Sequence, residues 1–186
     1  FFTMKNDPIL IVNIGGWSKS GFLNKNQKQE KYKLLKESLA DIDHNGVEIA
    51  IQTMPPFPWH FGGQSFHNLF VDPKEIAKFC KDSGFKVCLD ISHSMMSANY
   101  FKKDFETEFY DIVYPYVNYL HIVDAKGTDG EGIQIGKGDV DFEKINLRLN
   151  EDLPTIPFVP EVWQGHKDRG LGFWEALKFL KNTKLN

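Results

Sequence analysis

Five short apolar runs, spaced along 186 residues and separated by loop-and-helix stretches, constrain this chain more than any other feature. They read PILIVNIGG (8–16), GVEIAIQTMPP (46–56), KVCLDIS (86–92), VNYLHIVDA (117–125) and IPFVPEVW (156–163). A run of β-branched and aliphatic residues without polar alternation reads as a strand covered on both faces. Between the runs the spacing turns helical. Tyr32, Leu35, Leu39 and Ile42 recur at helical intervals over 28–43, with Gly46 placed as a C-cap. Asp72, Pro73 and Glu75 supply an N-cap, a first-turn proline and a capping partner for a helix that turns Ile76, Phe79 and Cys80 inward and stops at Gly84. A helix over 102–114 shows Phe105, Phe109 and Ile112 on one face, and a last one near 172–182 buries Phe173, Leu177 and Leu180. Such alternation makes the strands parallel, because each helix returns the chain to the same edge. The fold class is therefore parallel α/β. Two architectures satisfy it: an open doubly wound sheet and a piece of an eight-stranded barrel.

In both, functional side chains gather at the carboxyl ends of the strands. Those ends carry Asn13, Gln52, Asp90 with His93, His121 with Asp124, and Glu161. A polar side chain closing a buried strand needs a partner, because an unpaired buried polar group costs about 1–3 kcal/mol. Each end has a structural alternative, such as Asp90 and His93 satisfying loop amides or Glu161 capping a turn. Taken together, five consecutive ends of this kind read as one site. Asp, His and Glu offer oxygen and imidazole donors that suit a single divalent ion (Mn, Co, Mg, Fe or Zn), and no thiolate competes among them.

Composition narrows the partners. A formal net charge of −3 with interspersed charges offers no basic footprint for nucleic acid. No apolar stretch approaches the roughly 20 residues of a membrane span, and the opening residues lack the form of a secretory signal. Cys80 and Cys88 read as buried free thiols in a reducing, cytoplasmic setting. Residues 1–186 hold enough apolar material for one core and read as a single domain whose start, without an initiator methionine, falls in mid-domain.

The segments CLDISH, LHIVDAKG, IQIGKGDVDF and FVPEVWQGH resemble, in order, the last strands of the xylose-isomerase-like barrel superfamily. That superfamily includes sugar isomerases, ketose 3-epimerases, hydroxypyruvate isomerase and the endonuclease IV group. The resemblance implies a (β/α)8 TIM barrel, of which this chain holds strands four to eight, as the C-terminal part. More narrowly, IQTMPPFPWHFGGQSFHNLFVDP is similar to a barrel domain fused behind some bacterial N-acetylneuraminate synthases. Carried over position by position, the resemblance makes Gln52, Asp90, His121 and Glu161 the metal ligands, Glu161 the base, and His93 a group touching a substrate oxygen. Gln52 departs from the pattern, which places an acid there; an amide cannot accept a proton at neutral pH, so two-base epimerisation loses one arm. A one-base isomerisation survives the change.

Further substrate contacts are expected from Asp124 and Lys126, from His60 and His166 in the loops at that barrel end, and from Trp59 and Trp163, whose faces suit a sugar ring. The glycine-rich stretch 124–139 reads as a lid. The expected partner is a small sugar or sugar derivative, within either a homo-oligomer or a covalent fusion to a synthase domain. The competing reading is a catalytically silent binding or regulatory domain.

Overall fold

The structure, a computed structural model, describes residues 8–60, 63–183 and 185, the His60 side chain excepted. In chain order the strands longer than two residues are β1 (Ile9–Val12), β2 (Glu48–Gln52), β3 (Lys86–Asp90), β4 (Val117–Ile122), a hairpin of β5 (Asp124–Lys126) and β6 (Gly130–Ile133), and β7 (Phe158–Pro160). Five of them form one parallel sheet in the order β1-β2-β3-β4-β7. That order never reverses. A doubly wound sheet would reverse at a switch point, so the sheet is an arc of singly wound units and the barrel alternative holds: five parallel strands form a half-barrel.

The helices are α1 (Lys25–Ala40), α2 (Pro73–Ser83), α3 (Ile91–Phe101), α4 (Phe142–Asp152) and α5 (Lys167–Asn182). Asn24 and Gln27 close a capping box on α1, which stops at Asp41, before the expected Gly46, and leaves Ile42 exposed. For α2 the sequence signals hold: Asp72 caps it, Pro73 occupies its first turn, and Gly84 ends it in a left-handed conformation at φ 82°. Glu75, however, pairs with Lys28 rather than completing a capping box.

Two expectations about helices are corrected. The stretch expected as one helix over 102–114 is instead a π-turn (Glu106–Tyr110), a short α-turn (Asp111–Val113) and a 3-10 turn (Tyr114–Tyr116). The true crossover helix is α3, which starts at the residue after Asp90. Its apolar stripe is masked in the sequence because Ser92, Ser94 and Ser97 are buried on it. Ser94 meets Thr53, and Ser97 donates to the Met54 carbonyl. In α5, Asp168, Arg169 and Gly170 have left-handed backbones, so regular helix resumes near the expected start; Leu177, expected inward, is 37% exposed.

The core lies between the sheet and these helices, with Ile51, Leu89, Leu120, Ile122, Phe70 and Phe109 fully buried. Cys80 and Cys88 are buried free thiols, and burial pushes the Cys80 pKa up to about 12. No helix among the described residues is long and apolar enough to cross a membrane.

Candidate metal centre

Parallel pairing brings the polar strand ends together. Asp90 and His121 are direct register partners on β3 and β4. Gln52 ends β2, and Glu161 follows β7, its N–H bonded to the Ile122 carbonyl (3.2 Å). Asp90 is almost fully buried and has two tasks. Its Oδ1 accepts from the His93 N–H (2.9 Å), capping α3, while its Oδ2 accepts from Gln52 Nε2 (2.9 Å). Glu161, about half exposed, places Oε2 2.7 Å from His121 Nδ1.

Thr53 underlies this arrangement. Its hydroxyl accepts the Asp90 N–H (3.0 Å), and its carbonyl lies 2.9 Å from His93 Nδ1. The ring's other nitrogen therefore faces the pocket, 3.5 Å from Oε2 of Glu131 on β6.

Charge follows from the contacts. Burial favours the neutral His121 ring, but hydrogen bonds to Asp90, Cys88 and Glu161 outweigh it and raise its pKa to about 12. Burial likewise opposes His93, yet Asp90 and Glu131 raise it to about 9. Burial alone would raise the Asp90 carboxyl; His93 and His121 together hold it below the usual range.

One ligand atom each from Asp90, His121 and Glu161 lies within 4.8 Å of the others. In this arrangement one contact stays unsatisfied wherever the His121 Nδ1 proton is placed. If His121 Nδ1 carries a proton it donates to Glu161 but faces the Gln52 N–H at 3.0 Å; if it does not, it abuts a carboxylate. A cation accepts all three lone pairs at once, and turning the Gln52 amide over presents its oxygen to the same point. The donor set fits a hard or borderline divalent ion.

The pocket above, of about 260 Å³, is lined by Gln52, Asp90, His93, Glu161 and Trp163, with Asn13 beside them. Other sequence candidates fall elsewhere. Asp124 is fully buried, and its two oxygens accept the N–H groups of Ala125, Gly136, Gly138 and Val140 (2.7–3.1 Å), so it organises the loop rather than facing the pocket. Lys126, Trp59 and His166 are exposed and off the pocket wall. The His60 side chain, Phe61 and Gly62 lie outside the described residues. His67 is buried, its ring nitrogens within hydrogen-bond reach of the Leu69 and Ile14 carbonyls. Reading by strand ends misses Glu131 and Thr53: one is an acid in a glycine-rich loop, the other a β-branched residue without special spacing.

The family model for the xylose isomerase-like TIM barrel matches residues 9–183. The chain belongs to this family. Among solved structures, a D-tagatose 3-epimerase-like protein superposes with a TM-score of 0.63 at 19% identity, covering 94% of this chain and 64% of that one. An L-ribulose 3-epimerase gives 0.66 at 14% identity, covering 94% and 62%. A xylose isomerase-like TIM barrel protein from Mycobacterium smegmatis, in complex with magnesium, gives 0.62 at 16% identity, covering 96% and 62%. At these identities the likeness is one of fold. The chain spans less than two thirds of each of these xylose isomerase-like or epimerase chains. No match is found among curated proteins.

Proposed function

We propose that this chain is a single domain, strands four to eight of a (β/α)8 barrel, and serves a metal-dependent isomerase or epimerase acting on a small sugar or sugar derivative. The observation that carries the reading is the convergence of Asp90, His121 and Glu161 ligand atoms within 4.8 Å of one another at the sheet's carboxyl end. Gln52 joins them through its amide oxygen. A divalent ion bound there supplies positive charge that polarises a substrate carbonyl and lowers the energy of the negative charge developing beside it.

The remaining chemistry belongs to the side chains. Glu161 takes the proton from the hydroxyl-bearing carbon next to the carbonyl and returns it to the former carbonyl carbon, while the hydroxyl proton passes to the former carbonyl oxygen, so one carboxylate suffices for an isomerisation. His93, held at Nδ1 by the Thr53 carbonyl, presents Nε2 to a substrate oxygen. Trp163 offers an exposed ring at the pocket edge. Epimerases of like fold, solved with D-tagatose, in complex with D-allulose or in the presence of D-fructose, support a ketose as the ligand class. The net charge of −3 favours neither nucleic acid nor a membrane surface, and buried free thiols fit a reducing cytoplasm.

A second reading draws on Gln52. Its amide binds Asp90 and His121 and cannot take a proton, as a silent binding domain attached to a sialic-acid-type synthase would allow; that attachment rests on the stretch 51–73 alone. Assaying ketoses and aldoses with Mn-loaded protein separates the two. The isomerase reading expects Glu161→Gln to abolish turnover, by 10²-fold or more, while Gln52→Ala leaves it measurable. Bound metal with no turnover of any sugar would favour the silent domain.

A further inference from the structure

Among the described lining residues, Glu131 is the one carboxylate with no place in the metal cluster. It stands on β6, and its neighbour fixes it there. The Gly132 carbonyl accepts the Trp163 N–H at 2.9 Å, and the Gly132 N–H reaches Ser92 Oγ on α3 at 3.4 Å. Gly132 has φ 72°, and a Cβ there would come within 2.8 Å of the Trp163 Cβ, so only glycine allows this approach. Asp124 ties down the rest of the loop through its four backbone amides. The hairpin is thus clamped on both sides of the pocket, and Glu131, only 21% exposed, is held against His93 Nε2.

The same pocket contains no lysine or arginine among its described lining residues. Three carboxylates, Asp90, Glu131 and Glu161, face it with one imidazole. A divalent ion would offset two of those three charges, so no positive group is left over among the lining residues to receive a phosphate or carboxylate. A sugar hydroxyl, in contrast, meets a charged acceptor, and such hydrogen bonds are roughly twice as strong as neutral ones.

We propose that Glu131 is a specificity-determining residue: it accepts a substrate hydroxyl at the pocket rim and makes the site select uncharged sugars over phosphorylated or carboxylated ones. The inference rests on the sugar-site reading of this pocket. Lys126, which a search for an anion partner in the sequence would choose, is exposed and off the pocket wall.

Titration calorimetry of Mn-loaded protein with D-tagatose, D-allulose, D-fructose and D-fructose 6-phosphate tests it, with metal content measured in parallel. The wild type is expected to bind at least one neutral ketose tenfold or more tighter than the phosphate. Glu131→Gln is expected to lose about tenfold for that ketose, to narrow the gap to the phosphate, and to keep its metal. Gly132→Ala, which forces the hairpin off the pocket, is expected to show the same loss with intact metal and circular dichroism. An unchanged ketose-to-phosphate ratio in Glu131→Gln, or loss of its metal, overturns the inference while leaving the sugar site standing. Failure of the wild type to bind any of the four overturns the sugar-site reading and this inference with it.

Discussion

Gln52 decides how the site behaves without metal. Its Nε2 donates to Asp90 Oδ2 at 2.9 Å, and both side chains are buried. Replacing it with the family's acid puts two buried carboxylates side by side, and one must take up a proton or repel the other. Gln52→Glu is therefore expected to destabilise the metal-free protein by about 2 kcal/mol, roughly 4–8 °C in Tm. Excess Mn should reverse the loss, because the added carboxylate then becomes a ligand. Thermal melts with and without metal check this; an unchanged metal-free Tm would mean that the amide does not hold Asp90. At this scale the sequence was legible where polar residues closed apolar runs, hence Gln52, Asp90, His121 and Glu161. Thr53 was not, because its role depends on a hydroxyl reaching a strand 37 residues away. Nor was the inward turn of Asp124, whose partners are backbone amides that no side-chain pattern reveals.

Among elements, the loop between β5 and α4 depends on that carboxylate. Removing it in Asp124→Ala leaves four amides without an acceptor. Each would cost about 1–3 kcal/mol if it stayed buried, so the loop should open to water instead. Hydrogen exchange is expected to quicken tenfold or more over 124–140 while β1 to β4 keep their protection; uniform protection across the loop would contradict the role given to Asp124. Legibility here followed cap chemistry. α2 could be bounded to the residue because Asp72, Pro73 and Gly84 each act locally. α3 could not, because its buried face holds serines satisfied by the preceding β2 loop, and periodicity reports only apolar faces.

At the scale of the whole sheet, β1 and β7 are the edges among the described residues, with Leu10 on one 51% exposed and Val159 on the other 39% exposed. Along α5, beside β7, Leu171, Trp174 and Leu177 are exposed as well. Unpaired edges with apolar flanks recruit partners. The 186-residue chain is thus expected to associate, and light scattering should give a mass above that of one chain; a stable monomer with a cooperative melt would show that the open edges are tolerated. The parallel α/β class was legible from alternation, while the barrel arc was legible only through the resemblance carried by the strand-end motifs; the strand order, which no local pattern encodes, agrees with it.

The most direct test of the metal centre is the metal content of untreated protein by mass spectrometry, repeated on Asp90→Ala and Glu161→Ala. About one divalent ion per chain in the wild type, lost in both variants, is the expected result. No bound ion after addition of Mn, Co and Zn, or an ion that both variants retain, would contradict the assignment of Asp90, His121 and Glu161 as its ligands.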